Sequence, residues 1–76
     1  MITLNSEQVA DFITSNEFCI LQFGSASCMP CKAIYHRLQD WNRIPCAYIS
    51  VEENREYCAQ HDVFTVPTLQ FYWKAN

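Results

Sequence analysis

Apolar and polar residues follow one another along the chain in blocks that predict strands and helices in turn. Residues 18–23 form a nearly continuous apolar run of strand length, which is typical of a strand covered on both faces of a sheet. Further strands are predicted at residues 1–4, 46–51 and 69–73. The order β-α-β-α-β-α-β predicts an α/β fold with a central, mostly parallel sheet and right-handed crossovers.

Three helices are predicted between these strands. The first begins at an N-cap offered by Asn5 or Ser6 and ends near Asn16, because the apolar residues between them recur at helical spacing. The second covers residues 29–42, with Pro30 in its first turn, where a missing N–H is tolerated. The third covers residues 53–61. No repeat or linker-like segment interrupts the pattern, so residues 1–76 are expected to form one domain.

Composition narrows the class of protein. Half of the 76 residues are hydrophobic, so a packed core is expected, although a chain of this length buries only about 60% of its unfolded surface. The net charge is −3 and the basic residues are scattered, which argues against nucleic acid and anionic membranes as partners. No apolar run approaches the length of a membrane span, and no signal-peptide pattern is present. We therefore expect a cytoplasmic protein.

Two of the five cysteines, Cys28 and Cys31, have the spacing C-x-x-C at the start of the second predicted helix. A helix N-terminus stabilises negative charge, so we expect a lowered pKa for Cys28, to which the neighbouring Lys32 contributes. Cys31 follows about one turn later and lies within disulfide reach. This geometry supports two-step thiol–disulfide exchange, in which an exposed Cys28 attacks a disulfide and a shielded Cys31 resolves the mixed disulfide.

Other interpretations of the pair remain open. A thiolate metal site would need further ligands, for which the candidates are Cys46, Cys58, His36 and His61, but none of them forms a second C-x-x-C or an H-x₃₋₅-H motif. Simple core packing is the remaining alternative. The other cysteines lie in apolar contexts, and we expect Cys19, Cys46 and Cys58 to be buried, reduced thiols.

The stretch ILQFGSASCMPCK, followed some thirty residues later by DVFTVPT, resembles the thioredoxin family. The resemblance implies a minimal thioredoxin-like fold, with Cys28 as the attacking and Cys31 as the resolving cysteine. It also implies that Pro67 follows a cis peptide bond and faces the two cysteines. The backbone of Val66 would then pair with an extended substrate.

The sequence departs from this family pattern at several positions. Ser27 replaces an aromatic residue, Met29 replaces a glycine, and Gln22 replaces a buried acid. A neutral amide cannot accept the proton of the resolving thiol, so Gln22 is expected to slow resolution. The family also continues with an edge strand and a last helix that this sequence lacks, so we expect a minimal form, a chain cut short, or a fold completed by a partner chain.

The function implied by the resemblance is that of a thiol–disulfide oxidoreductase that reduces protein disulfides. Its electrons would come from a donor of the thioredoxin-reductase type, because no G-x-G-x-x-G motif indicates a nicotinamide or flavin cofactor in this chain. The alternative from another class is a non-catalytic module of the same fold that binds extended peptides by backbone pairing. A thiolate metal site is the third possibility.

Overall fold

Four strands form one sheet in the computed structural model, which describes residues 1–74. The strands are β1 Ile2–Thr3, β2 Phe18–Gly24, β3 Cys46–Ser50 and β4 Thr68–Trp73. Strands β1 and β3 are parallel neighbours, β3 and β2 are parallel neighbours, and β4 pairs with β2 in the antiparallel direction. The spatial order of the strands is β1-β3-β2-β4.

The predicted mostly parallel α/β sheet is confirmed, with one difference in its last unit. The connection from β3 to β4 is not a parallel crossover, because β4 runs antiparallel beside β2. In β4, Leu69, Phe71 and Trp73 alternate with Thr68, Gln70 and Tyr72. The two faces of β4 have different surroundings, because Tyr72 packs against the main core whereas Phe71 and Trp73 are exposed.

Three helices connect the strands and are somewhat shorter than predicted. A single 3₁₀ turn, Ser6–Gln8, leads into α1, Val9–Thr14. The side chain of Asn5 accepts a hydrogen bond from the N–H of Glu7 while the Gln8 side chain accepts from the N–H of Asn5, so the predicted cap is present. The other helices are α2, Met29–Trp41, and α3, Arg55–Gln60. None of the helices within residues 1–74 is long and apolar enough to cross a membrane.

The main hydrophobic core lies on one side of the sheet. Leu21 and Phe23 of β2 are completely buried there, together with Ala47 and Ile49 of β3. Residues of α1 and α3 cover these side chains, and Val63 closes the cluster from the segment after α3. This packing fixes β2 and β3, whose carboxyl ends carry the loops that form the site.

The opposite side of the sheet carries α2 and the even-numbered residues of β2. Phe18 lies on this side, and the β2–β4 register places Phe71 and Trp73 beside it. The rings of Phe18 and Trp73 stack with their centroids 6.3 Å apart. All three side chains are exposed, so this end of the sheet face is not covered by any residue of the described chain.

Candidate redox site

The loop after β2 ends in a tight turn from which α2 begins. The N–H of Cys28 donates to the carbonyl oxygen of Ser25 at 3.2 Å, and the N–H of Lys32 donates to the carbonyl oxygen of Cys28 at 3.3 Å. Cys28 has extended backbone angles and is the N-cap residue of α2, and Pro30 occupies the first helical turn as predicted. A carboxylate oxygen of Glu52 accepts a hydrogen bond from the N–H of Ala26 and braces the loop.

Cys28 and Cys31 form a disulfide across this helix start, with their Cα atoms 5.2 Å apart. The N–H of Cys31 donates to the sulfur of Cys28 at 3.1 Å, which is the position of an N-cap acceptor. Cys28 is half-buried, whereas Cys31 is only 1% exposed. One cysteine of the pair is therefore partly exposed to a reaction partner, and the other is shielded by the protein.

Gln22 of β2 lies next to Cys31 on the α2 side of the sheet. Its side chain is fully buried, and its Nε2 donates to the carbonyl oxygen of Cys31 at 2.7 Å. This bond ties the first turn of α2 to the central strand. The other end of the amide, Oε1, is buried without a hydrogen-bond partner among residues 1–74.

Gly24 and Tyr48 lie close to each other next to Cys31. A Cβ atom at Gly24 would lie 2.7 Å from the hydroxyl oxygen of Tyr48 and 3.1 Å from the Cβ of Cys31. Gly24 does not have a positive φ, so the close approach of these side chains accounts for the glycine. Burial raises the pKa of Tyr48, with further contributions from the charge of Glu52 and from Tyr35, so the hydroxyl stays protonated and neutral.

The segment before β4 returns to the same end of the sheet. The Val66–Pro67 peptide bond is cis, as predicted, and the Thr68 hydroxyl donates to the Thr65 carbonyl oxygen at 2.6 Å across the turn. Thr68 pairs with Phe23, so Pro67 lies beside the end of β2 from which the cysteine loop departs. Among the described residues, the N–H and C=O of Val66 have no hydrogen-bond partner in the backbone.

The remaining predicted site residues lie on the surface of this region. Met29, directly after Cys28, is 69% exposed. Pro30 and Lys32 are also exposed. These three residues belong to the first turn of α2, which begins directly after Cys28.

The other three cysteines are free thiols that belong to different parts of the fold. Cys19 and Cys58 are buried as predicted, but Cys46 is half-exposed, so the prediction of a buried thiol is wrong there. Cys46 begins β3 directly after Pro45, near the rim of the sheet, where its thiol donates to the Ile44 carbonyl oxygen at 3.1 Å. Burial raises the pKa of all three thiols. Within residues 1–74, no three His, Cys, Asp or Glu side chains cluster as metal ligands would.

Sequence reasoning did not identify Tyr48 or Gly24 as parts of the site. Gly24 is the only glycine of the chain, which was a usable signal for a close approach. Tyr48 carried no such signal, because a tyrosine in a strand is ordinary. Its position follows from the pairing of β3 with β2, which places Tyr48 opposite Gln22.

Fold and site together define a domain with a redox-active dithiol at the start of a helix. A profile of the thioredoxin family matches residues 1–76, and the chain belongs to this family. A search of curated proteins finds no sequence that matches.

Solved thioredoxin structures share the fold. Fasciola hepatica thioredoxin superposes with a TM-score of 0.85 at 21% identity, covering 96% of this chain and 77% of the other. Thioredoxin f2 of Chlamydomonas reinhardtii gives a TM-score of 0.85 at 19% identity, covering 96% and 74%. A mutant thioredoxin from Halobacterium salinarum gives a TM-score of 0.79 at 24% identity, covering 95% and 67%. At these identities, the likeness establishes the fold.

Proposed function

We propose that this protein reduces protein disulfides through the Cys28–Cys31 couple. The observation that carries the proposal is the asymmetry of the pair at the start of α2, with Cys28 accessible and Cys31 shielded. The N–H of Cys31 points at the Cys28 sulfur, and in the reduced protein this donor stabilises a thiolate on Cys28. The nucleophile is thus held at the surface, and its resolving partner lies one helical turn away.

The reaction proceeds in two exchanges that together move two electrons to the substrate. The Cys28 thiolate attacks one sulfur of the substrate disulfide, which breaks the substrate S–S bond, forms a mixed disulfide and releases the first substrate thiolate. That thiolate takes the proton of the Cys31 thiol. The Cys31 sulfur then attacks the Cys28 sulfur, the mixed disulfide breaks, and the second substrate thiolate leaves. The protein is left with its Cys28–Cys31 disulfide.

The turn before β4 supplies a place for the substrate backbone. The unpaired N–H and C=O of Val66 lie next to Pro67 at the end of the sheet that carries the cysteines. An extended peptide that pairs with Val66 places its own disulfide near Cys28. The exposed side chains of Met29 and Phe64, 69% and 75% accessible, offer apolar contacts in the flanking segments.

The cycle closes when a donor of the thioredoxin-reductase type supplies two electrons to the Cys28–Cys31 disulfide. We place the protein in the cytoplasm, because its three further cysteines are unpaired and a reducing compartment keeps such thiols free. Nucleic acid and membranes are not part of this proposal.

Reduction of insulin in the presence of dithiothreitol tests the proposal. The wild-type chain should accelerate insulin precipitation above the dithiothreitol background, and Cys28→Ser should remove the acceleration. Cys46→Ser is the matched control, because it removes a half-exposed thiol that lies outside the couple. Wild-type protein that gives no acceleration, while it still binds an extended peptide, would favour the non-catalytic binding module instead.

A further inference from the structure

The buried space beneath Cys31 contains an acceptor that lacks a donor. Gln22 Oε1 has no hydrogen-bond partner among residues 1–74, although the side chain is completely buried. A buried acceptor without a donor costs about 1–3 kcal/mol. The Nε2 of the same amide is already engaged by the Cys31 carbonyl oxygen, so the orientation of the amide is fixed. The amide of Gln22 is therefore held at the first turn of α2, which carries Cys31.

The protein gains a new donor in this space when the disulfide is reduced. Reduction by two glutathione thiols breaks the Cys28–Cys31 bond, forms one bond in glutathione disulfide, and delivers two electrons and two protons to the protein sulfurs. The shielded sulfur of Cys31 then carries an S–H group, which is a donor that the disulfide lacks.

We propose that Gln22 Oε1 accepts a hydrogen bond from the Cys31 thiol in the reduced protein. Gln22 is then a positioning residue that favours the reduced form of the couple, because its buried acceptor is satisfied only in that form. The inference rests on the proposed function in one respect, namely that Cys28 and Cys31 cycle between dithiol and disulfide.

Tyr48 is the competing donor for the same oxygen. Its register partner across the sheet is Gln22, and its hydroxyl is neutral. In the structure, however, the hydroxyl lies against Gly24, at 2.7 Å from the position of a Cβ there, and makes no hydrogen bond to Gln22. A hydroxyl that bonded to Oε1 in both redox states would not bias the couple, whereas one that turned to Oε1 only after reduction would bias it without the Cys31 thiol.

Equilibration in glutathione buffers measures directly how strongly Gln22 favours the reduced form of the Cys28–Cys31 couple. The oxidised fraction of the couple is read by thiol alkylation and mass spectrometry for the wild type and for Gln22→Met, which has similar length but no acceptor. We expect Gln22→Met to shift the equilibrium toward the disulfide about fivefold, the ratio given by one hydrogen bond of ordinary net strength. Leu21→Met is the control, because Leu21 is equally buried but faces the other side of the sheet. It should leave the equilibrium unchanged.

Two results would overturn the inference. One is an unchanged equilibrium in folded Gln22→Met, since an acceptor satisfied equally in both states has no effect on the couple. The other is a Gln22→Met shift that disappears in a Tyr48→Phe background, which would assign the donor to the tyrosine. Wild-type protein that forms no Cys28–Cys31 disulfide in these buffers would instead contradict the proposed function itself.

An infrared measurement tests the inference without any change at position 22. The S–H stretching band of Cys31 is isolated as the difference between Cys28→Ser and the double variant Cys28→Ser, Cys31→Ser, in which the other thiols cancel. We expect this band at the lower frequency of a hydrogen-bonded thiol. A band at the frequency of a free thiol would refute the inference even if Gln22→Met fails to fold.

Discussion

Replacement of Gly24 by alanine is the substitution whose consequence follows most directly from the geometry of the site. The added Cβ would lie 2.7 Å from the Tyr48 hydroxyl oxygen, 2.9 Å from Tyr48 Cε1 and 3.1 Å from Cys31 Cβ. The first two atoms belong to the outer part of a side chain, which can move. The third is fixed to the first turn of α2, which Gln22 ties to the strand.

Two effects of opposite sign decide how much Gly24→Ala changes the free energy of unfolding. Overpacking of a well-packed site costs about 1–3 kcal/mol. Alanine also reduces the conformational freedom of the unfolded chain, which stabilises a protein by about 0.4–1 kcal/mol where the native φ suits it, and Gly24 has no positive φ. The overpacking effect is larger, so we expect Gly24→Ala to lower the free energy of unfolding by about 1–2 kcal/mol.

Gly24→Ala is compared in the wild type, in Tyr48→Phe and in Tyr48→Val, which identifies the atoms that the new Cβ meets. Tyr48→Phe removes the nearest atom but leaves Cε1 in place, whereas Tyr48→Val removes both, so the cost of Gly24→Ala should fall in that order. Urea unfolding of the singles and doubles gives the coupling energies. Ser27→Ala, at an exposed position of the same loop, is the control and should change stability by less than about 0.5 kcal/mol.

Alanine tolerated at position 24 at no cost would contradict the expected overpacking. A cost that is the same in all three backgrounds would show that the limiting contact does not involve Tyr48. If the contact that limits Gly24→Ala is with Cys31, the substitution should slow thiol–disulfide exchange as well as lower the free energy of unfolding.

Three further predictions concern the cysteines. Iodoacetamide at neutral pH should alkylate Cys28 of the reduced protein first, since its sulfur is accessible and accepts an N–H bond, and faster labelling of Cys31 in peptide mapping would reverse the roles. A folded variant with alanine at Cys19, Cys46 and Cys58 should lose stability but retain insulin reduction, so inactivity would implicate one of these thiols. Because burial raises the pKa of Cys19 and Cys58, the folded state keeps protons that the unfolded state loses, and the free energy of unfolding should fall as the pH rises above about 8.5, the ordinary pKa of a free thiol. The triple alanine variant should show a shallower fall, and an identical pH profile would contradict this assignment.

The order of elements and the cysteine pair could be predicted from the sequence because each depends on local pattern. Apolar periodicity places a strand or helix, and the position of Pro30 at a helix start follows from its missing N–H. The direction of β4 could not be predicted in this way, because the alternation of strands and helices does not determine which way the last strand runs. The alternation within β4 did not supply that direction, because the apolar Phe71 and Trp73 are exposed, the reverse of the apolar-in, polar-out pattern typical of an antiparallel strand.

The polar surroundings of Cys31 could not be predicted in full because they depend on sheet register. Gln22 was identified as a departure from the family pattern, but its bond to the Cys31 carbonyl oxygen requires the relative position of β2 and α2. Tyr48 joins the site only because β3 pairs with β2 in one particular register. The partial exposure of Cys46 likewise follows from its place at the start of β3 rather than from its apolar neighbours.

Trapping of the mixed disulfide tests the proposed chemistry most directly. Cys31→Ala keeps the accessible nucleophile and removes the thiol that resolves the intermediate, so the variant should accumulate a covalent adduct with a disulfide-bonded protein such as insulin. Acid quenching, non-reducing electrophoresis and peptide mapping should locate that adduct at Cys28, and Cys28→Ala should form none. If Cys31→Ala forms no adduct, or if the adduct maps to Cys46, the Cys28–Cys31 couple does not carry the reaction proposed for it.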